Sequence, residues 1–172
     1  MTTANKITIA RIVMIPIFLA LAYTGRPYWA LAVYIIACLS DAADGYIARH
    51  YNQISNFGKF MDPLADKMLV LAAMCFFVER GVMPGWCVAI VLFREFAVSG
   101  LRLIAVERSR VIAAAWSGKI KTACTMVGLC AMLVFSHVDL VNIISTALIL
   151  VTTVYSGIEY FYVNRDVFKE LD

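Results

Sequence analysis

The chain has 172 residues, of which 62% are hydrophobic and only 16% charged. A soluble domain is about half apolar and about a quarter charged. A water-soluble fold of this size has too little interior to hide the excess, so part of the solvent must be lipid. The formal net charge of +3 is too small to argue for a nucleic-acid partner.

A transmembrane helix needs about 20 mostly apolar residues, and six stretches meet that need: roughly 7–24, 28–50, 59–79, 84–106, 118–136 and 140–163. "TGRP" separates the first two, "RGVMPG" the third and fourth, and "SHVD" the last two. There is no internal repeat, low-complexity segment or soluble linker. The expected fold is therefore all-α: one membrane-embedded domain over 1–172, built as a bundle of six transmembrane helices. Met1 to Lys6 is too short for a cleaved signal peptide. Cys38, Cys75, Cys87, Cys124 and Cys130 fall inside apolar runs without metal-site spacing and read as packing residues.

Lysines and arginines set the orientation. With six spans, Lys6, Arg11, Arg49, Lys59, Arg102, Arg108, Arg110, Lys119, Lys121, Arg165 and Lys169 share one side, and the other side has Arg26 and Arg80. Both termini and the connection between the second and third helices are thus expected in the cytoplasm.

That connection is flanked by four acids. Asp41 and Asp44 lie three apart near the end of the second run, and Asp62 and Asp66 four apart in the third. Both spacings put a pair on one helical face. A charge near the bilayer centre costs about 2.5–3.5 kcal/mol on insertion scales and normally faces a bundle interior or a wet cavity. Four carboxylates together repel one another, and some keep their protons, unless cations join them. An oxygen-only donor set favours hard ions, so two divalent cations, Mg²⁺ or Mn²⁺, are expected. Paired metals of this kind suit phosphoryl transfer. Gly45 and Ala48 keep the helix surface low beside the acids, and Arg49 offers a planar fork for phosphate. Gly58 is placed to turn the loop into the third helix. Pro63 fits a first helical turn beginning near Asp62, or a kink.

Asp41-x-x-Asp44-Gly45-x-x-Ala48-Arg49, then Gly58, Asp62 and Asp66 at their spacings, resembles the full signature of the CDP-alcohol phosphatidyltransferases. Eight specified residues coincide by chance on the order of once in 10¹⁰ trials. The resemblance implies attack of an alcohol hydroxyl on the β-phosphorus of a CDP-linked lipid, with release of CMP. It implies that Asp41, Asp44 and Asp62 are metal ligands and that Asp66 is both metal-associated and the general base. Asp44, Gly45, Ala48 and Arg49 would contact the CDP moiety, with Gly58 beside them. Asn5 and Thr8 would contact the nucleotide or cap the first helix. A homodimer is also implied.

"LFREFAVSGLR" (92–102), "SGKIKT" (117–122) and "NKITIAR" (5–11) resemble the branch of that family that makes phosphatidylglycerophosphate from CDP-diacylglycerol and glycerol 3-phosphate. An acceptor carrying a phosphate needs cations, and Arg94, Arg102, Arg110, Lys119 and Lys121 are the candidates. Arg110 with Arg108, and Lys119 with Lys121, also read as headgroup-facing charges. Arg94 lies near mid-span, where it either binds substrate or pairs with an acid on another helix. Glu95 points some 100° away around a helix and is not Arg94's expected partner; Glu159 is a candidate to answer one of the cations.

The competing readings are an ion-coupled transporter, a prenyltransferase with another aspartate spacing, and a family member with a different acceptor, such as inositol phosphate, serine or phosphatidylglycerol. A transporter predicts polar residues along a continuous route, whereas "YWALAVYIIACL" and "VLAAMCFFV" are apolar.

Overall fold

Each apolar run folds as one helix. The computed structural model describes residues 3–50, 56–107, 112 and 115–166, with side chains over 8–40, 64–65, 67–106, 112 and 115–166. Among the described residues there are six α-helices and no strand: α1 (Thr3–Tyr23), α2 (Pro27–His50), α3 (Asn56–Glu79), α4 (Gly85–Glu107), α5 (Trp116–Phe135) and α6 (Asp139–Val163). The shortest has 20 residues and the longest 25. All six end within one residue of the expected position. The start of α3 differs. It begins at Asn56, so Gly58 lies in the helix's first turn and Pro63 well inside it. A proline there removes one backbone hydrogen bond, and a helix of 24 residues supplies enough others to continue past it.

The chain divides into two compact units, Met1–Arg80 and Gly81–Asp172. In the first, α1 packs against α2 and α3, and α2 also meets α3. Its interior holds Phe18, Tyr34 and Phe77 among the buried alanines Ala22, Ala30, Ala37 and Ala73. Phe18 and Tyr34 rings lie 5.6 Å apart, a separation at which tilted aromatic pairs attract. At the end of α1 the Tyr23 hydroxyl donates to the Glu79 carboxylate of α3. The same ring meets Phe76 edge-on at 5.1 Å. Gly25, at φ 72°, stops α1: the Arg26 amide reaches back to the Leu21 carbonyl at 3.0 Å and the Gly25 amide to that of Ala22 at 3.3 Å. This pairing satisfies two carbonyls at the helix end and needs the left-handed conformation that glycine adopts without strain.

In the second unit α6 packs against α5 and α4, turning mostly polar groups inward and apolar ones outward. The buried residues of α6 are Asn142, Ser145, Thr146, Ile149, Thr153, Ser156, Gly157 and Tyr160. Its exposed ones include Ile143, Val151 and Ile158, each about two-thirds accessible. Water would favour the reverse arrangement; lipid tails do not, since they are as apolar as isoleucine. Two of the buried hydroxyls are absorbed locally: Thr125 donates to the Lys121 carbonyl at 2.8 Å and Ser156 to that of Thr153 at 3.1 Å. Among the described residues, α5 and α6 are long and apolar enough to cross a membrane. Trp86, Ile90, Val151, Val154 and Ile158 line an open apolar groove between α4 and α6.

Gly128 sets the α5–α6 approach, because a Cβ there would lie 3.2 Å from Ile149 Cδ1 and 3.3 Å from its Cγ1. Gly128→Leu is expected to destabilise the detergent-solubilised protein by about 1–3 kcal/mol through overpacking. Thermal unfolding beside wild type measures it, and an unchanged midpoint would refute close packing at this position.

Candidate active site

The four signature acids occupy α2 and α3. Helix α2 is continuous through Asp41, Asp44, Gly45, Ala48 and Arg49, and α3 through Gly58, Asp62 and Asp66. Each pair of acids is therefore about one turn apart along its own helix. The side chains of these residues and of Asn5 lie outside the described residues. Arg110 lies outside them altogether.

Two described side chains of α1 lead toward this region. Thr8 is fully buried and Arg11 is 1% exposed, three residues apart and so on one face. Arg11 Nε lies 3.5 Å from Ser40 Oγ, the residue before Asp41. Ser40 in turn donates to the Ala37 carbonyl at 2.7 Å. In the sequence Arg11 reads as a charge of the cytoplasmic side and as the end of "NKITIAR", with no partner named for it. Its signal was an arginine one turn beyond Thr8, inside the run "ITIARIVMI".

The candidate acceptor cations divide into three environments. Arg94, near the middle of α4, and Lys121, in the second turn of α5, converge on one oxygen. Lys121 Nζ donates to Glu95 Oε1 at 2.6 Å and Arg94 Nη1 to the same atom at 3.2 Å. The exposed fractions of the side chains are 12% for Arg94, 20% for Glu95 and 7% for Lys121. Glu95 is thus Arg94's partner after all. The 100° offset on the helix is bridged because both side chains are long and Lys121 of a neighbouring helix draws the carboxylate between them. Glu159 does not take that place: its Oε2 is buried without a hydrogen-bond partner.

The space around Arg94 is made by small residues. A Cβ built at Gly157 would lie 3.2 Å from Arg94 Cγ, and one at Gly118 3.6 Å from its Nη2. Arg94 Nε is buried without a hydrogen-bond partner, and so is the Oγ of Ser117, the residue before Gly118. In hydrogen-bonding terms the cluster holds donors in excess of acceptors, which suits an anion.

Arg102 stands two turns further along α4. Its Nε donates to the Tyr160 hydroxyl at 3.0 Å, and its guanidinium lies 5.5 Å from that ring's centroid. Lys119 sits 5.0 Å from the centroid of the exposed Trp116. It is two residues from Lys121, and so on a different side of α5. Arg94 and Lys121 are therefore brought together, whereas Arg102 and Lys119 have aromatic partners of their own.

The family model for CDP-alcohol phosphatidyltransferases matches residues 1–156. The chain is 40% identical to the CDP-diacylglycerol–glycerol-3-phosphate 3-phosphatidyltransferase of Bacillus subtilis (strain 168), over 96% of each chain. It is 36% identical to a probable phosphatidylglycerophosphate synthase of Mycobacterium tuberculosis (strain ATCC 25618 / H37Rv), over 91% of this chain and 78% of the relative. A Shigella flexneri protein with the same name as the Bacillus one is 33% identical over 92% of each. The match encloses every residue from Asp41 to Asp66 as well as Arg94, Glu95 and Lys121, and the chain belongs to the CDP-alcohol phosphatidyltransferase family.

Proposed function

We propose that this chain transfers the phosphatidyl group of CDP-diacylglycerol to glycerol 3-phosphate, giving phosphatidylglycerophosphate and CMP, at the cytoplasmic face of the cell membrane. The observation that carries this reading is the family match over 1–156, which contains the whole acidic signature. The names of the relatives point to the acceptor.

In this reading all six helices cross the bilayer with both termini in the cytoplasm. Helices of 20 to 25 residues are about 30–38 Å long, enough for a hydrocarbon core of about 30 Å. The polar-in, apolar-out pattern of α6 supports a lipid surround. The concentration of lysine and arginine on one side supports the orientation. Two copies are expected to pair, as the family resemblance implies.

The donor set of Asp41, Asp44, Asp62 and Asp66 is all carboxylate, with each pair one turn apart on a continuous helix, and it fits two hard divalent cations. Mg²⁺ or Mn²⁺ held by these four residues would supply charge neutralisation at the pyrophosphate. Arg49 binds a phosphate of the CDP-lipid, and Gly45 and Ala48 allow its nucleotide to approach α2 closely. Asn5, Thr8 and Gly58 complete the nucleotide contacts. Arg94 and Lys121 hold the phosphate of the acceptor. Asp66 takes the proton from the acceptor hydroxyl as its oxygen bonds to the β-phosphorus, and the bond to CMP breaks with its electron pair leaving on CMP.

The direct test is CMP release by detergent-purified protein given CDP-diacylglycerol, Mg²⁺ and one alcohol at a time. Turnover is expected with glycerol 3-phosphate; turnover with inositol phosphate, serine or phosphatidylglycerol instead would overturn the acceptor assignment. Asp66→Asn is expected to abolish turnover while nucleotide-lipid binding is partly kept. A binding loss equal to that of Asp44→Asn would reduce Asp66 to a ligand. Lys121→Met should raise the KM for glycerol 3-phosphate about 10- to 100-fold, the loss of one charged hydrogen bond, whereas Lys119→Met should move it by less than about 2-fold. Equal effects would argue against the buried pair as the phosphate site.

A further inference from the structure

We infer that Glu95 is a positioning residue: by holding one corner of Arg94 together with Lys121, it leaves the opposite edge of the Arg94 guanidinium unpaired and so available to two oxygens of the acceptor's phosphate. The inference rests on the reading that Arg94 and Lys121 receive that phosphate.

A guanidinium presents two edges suited to an oxyanion, and the side-on edge is formed by Nε and Nη2. Glu95 engages Nη1, the corner outside that edge, at 3.2 Å. Nε is buried and has no hydrogen-bond partner. A buried donor on a charged group is seldom left unmatched in a finished site, because nothing then compensates its lost hydration. Nη2 lies beside Gly118, where a Cβ would come to ordinary contact distance, 3.6 Å, and a longer side chain would crowd it. Gly157 lies beside the arginine's stem: a Cβ there would press on Cγ at 3.2 Å. Ser117, next to Gly118 and one turn from Lys121, adds a buried hydroxyl that is also without a partner. The unmatched donors therefore come from the arginine and the serine, while the matched ones all end on Glu95.

The carboxylate is needed because Arg94 and Lys121 repel each other in a region where their side chains are about nine-tenths buried. A lysine has a flexible stem and no preferred plane, so without an anchor Lys121 has no reason to stay beside Arg94. The anchor is a single oxygen, Oε1, that receives both cations. Cation–cation spacing and guanidinium orientation are thereby set before any substrate arrives, which lowers the ordering cost of binding.

The test uses the full chain purified in detergent, with separate KM values for glycerol 3-phosphate and CDP-diacylglycerol and a thermal midpoint for each variant. Glu95→Gln keeps the shape and loses the charge. It is expected to raise the acceptor KM about 10-fold, leaving the KM for CDP-diacylglycerol and the midpoint close to wild type. Arg94→Lys, which removes the side-on edge, should raise the acceptor KM as well, and adding Glu95→Gln to it should add little, since the two act as one unit. If Arg94→Lys raises the acceptor KM while Glu95→Gln leaves it within about 2-fold, the positioning role fails and the phosphate reading stands. If Arg94→Lys leaves the acceptor KM unchanged, the phosphate reading itself fails. Should Glu95→Gln not fold, Glu95→Asp decides: a stable protein with a raised acceptor KM supports the role, and one with a wild-type KM overturns it. A parallel rise in both KM values and a lowered midpoint would make Glu95 a structural residue only.

Discussion

Glu95 Oε1 receives Lys121 at 2.6 Å and Arg94 at 3.2 Å, and none of the three side chains is more than one-fifth exposed. A charge within so apolar a helix has to be answered close to where it stands, since neither lipid nor a packed core will solvate it. Much else in the second unit follows from that demand. Gly118 of α5 and Gly157 of α6 line the arginine. The hydroxyls of Thr122 and Thr125 turn back onto their own helix at 3.0 and 2.8 Å and so do not compete for the carboxylate. The first unit handles a buried cation on the same principle: Arg11, almost fully enclosed, reaches Ser40 on the neighbouring helix.

The two units also distribute chemistry differently. Unit 1 carries the acids and the glycine–alanine surface attributed to the CDP-lipid, on helices whose described interior is aromatic and alanine-rich. Unit 2 carries the paired cations, and its apolar interior is interspersed with buried hydroxyls and an amide.

Helix number and helix ends were legible in the sequence because long apolar runs and their Gly/Pro breaks act locally. Gly25 illustrates this: its positive φ is what "TGRP" requires of a helix stop. The start of α3 was not legible. "NFGKFMDP" contains a glycine and a proline that locally argue for a loop, and the longer helix carries them. The paired acids were readable from their spacing, and the family from the resemblance of their motif to a known signature. The carboxylate between Arg94 and Lys121 was not, because helical angles describe where Cβ atoms point and say little about the tips of long side chains. Arg11 was hidden for a related reason: a single arginine near a terminus looks the same in sequence whether it faces headgroups or a helix neighbour.

Trp116 opens α5, with Lys119 over its ring, a pairing of aromatic and cation typical of the boundary between lipid and water. Helix α5 is also the shortest of the six, at 20 residues, or about 30 Å. In the proposed six-span arrangement, pinned at one end and with no spare length, it has little means of adjusting to a thicker bilayer except by shifting in depth. Lys121 rides on that helix within two turns of the pin. The thickness of the surrounding membrane thus becomes a mechanical input to where this lysine stands.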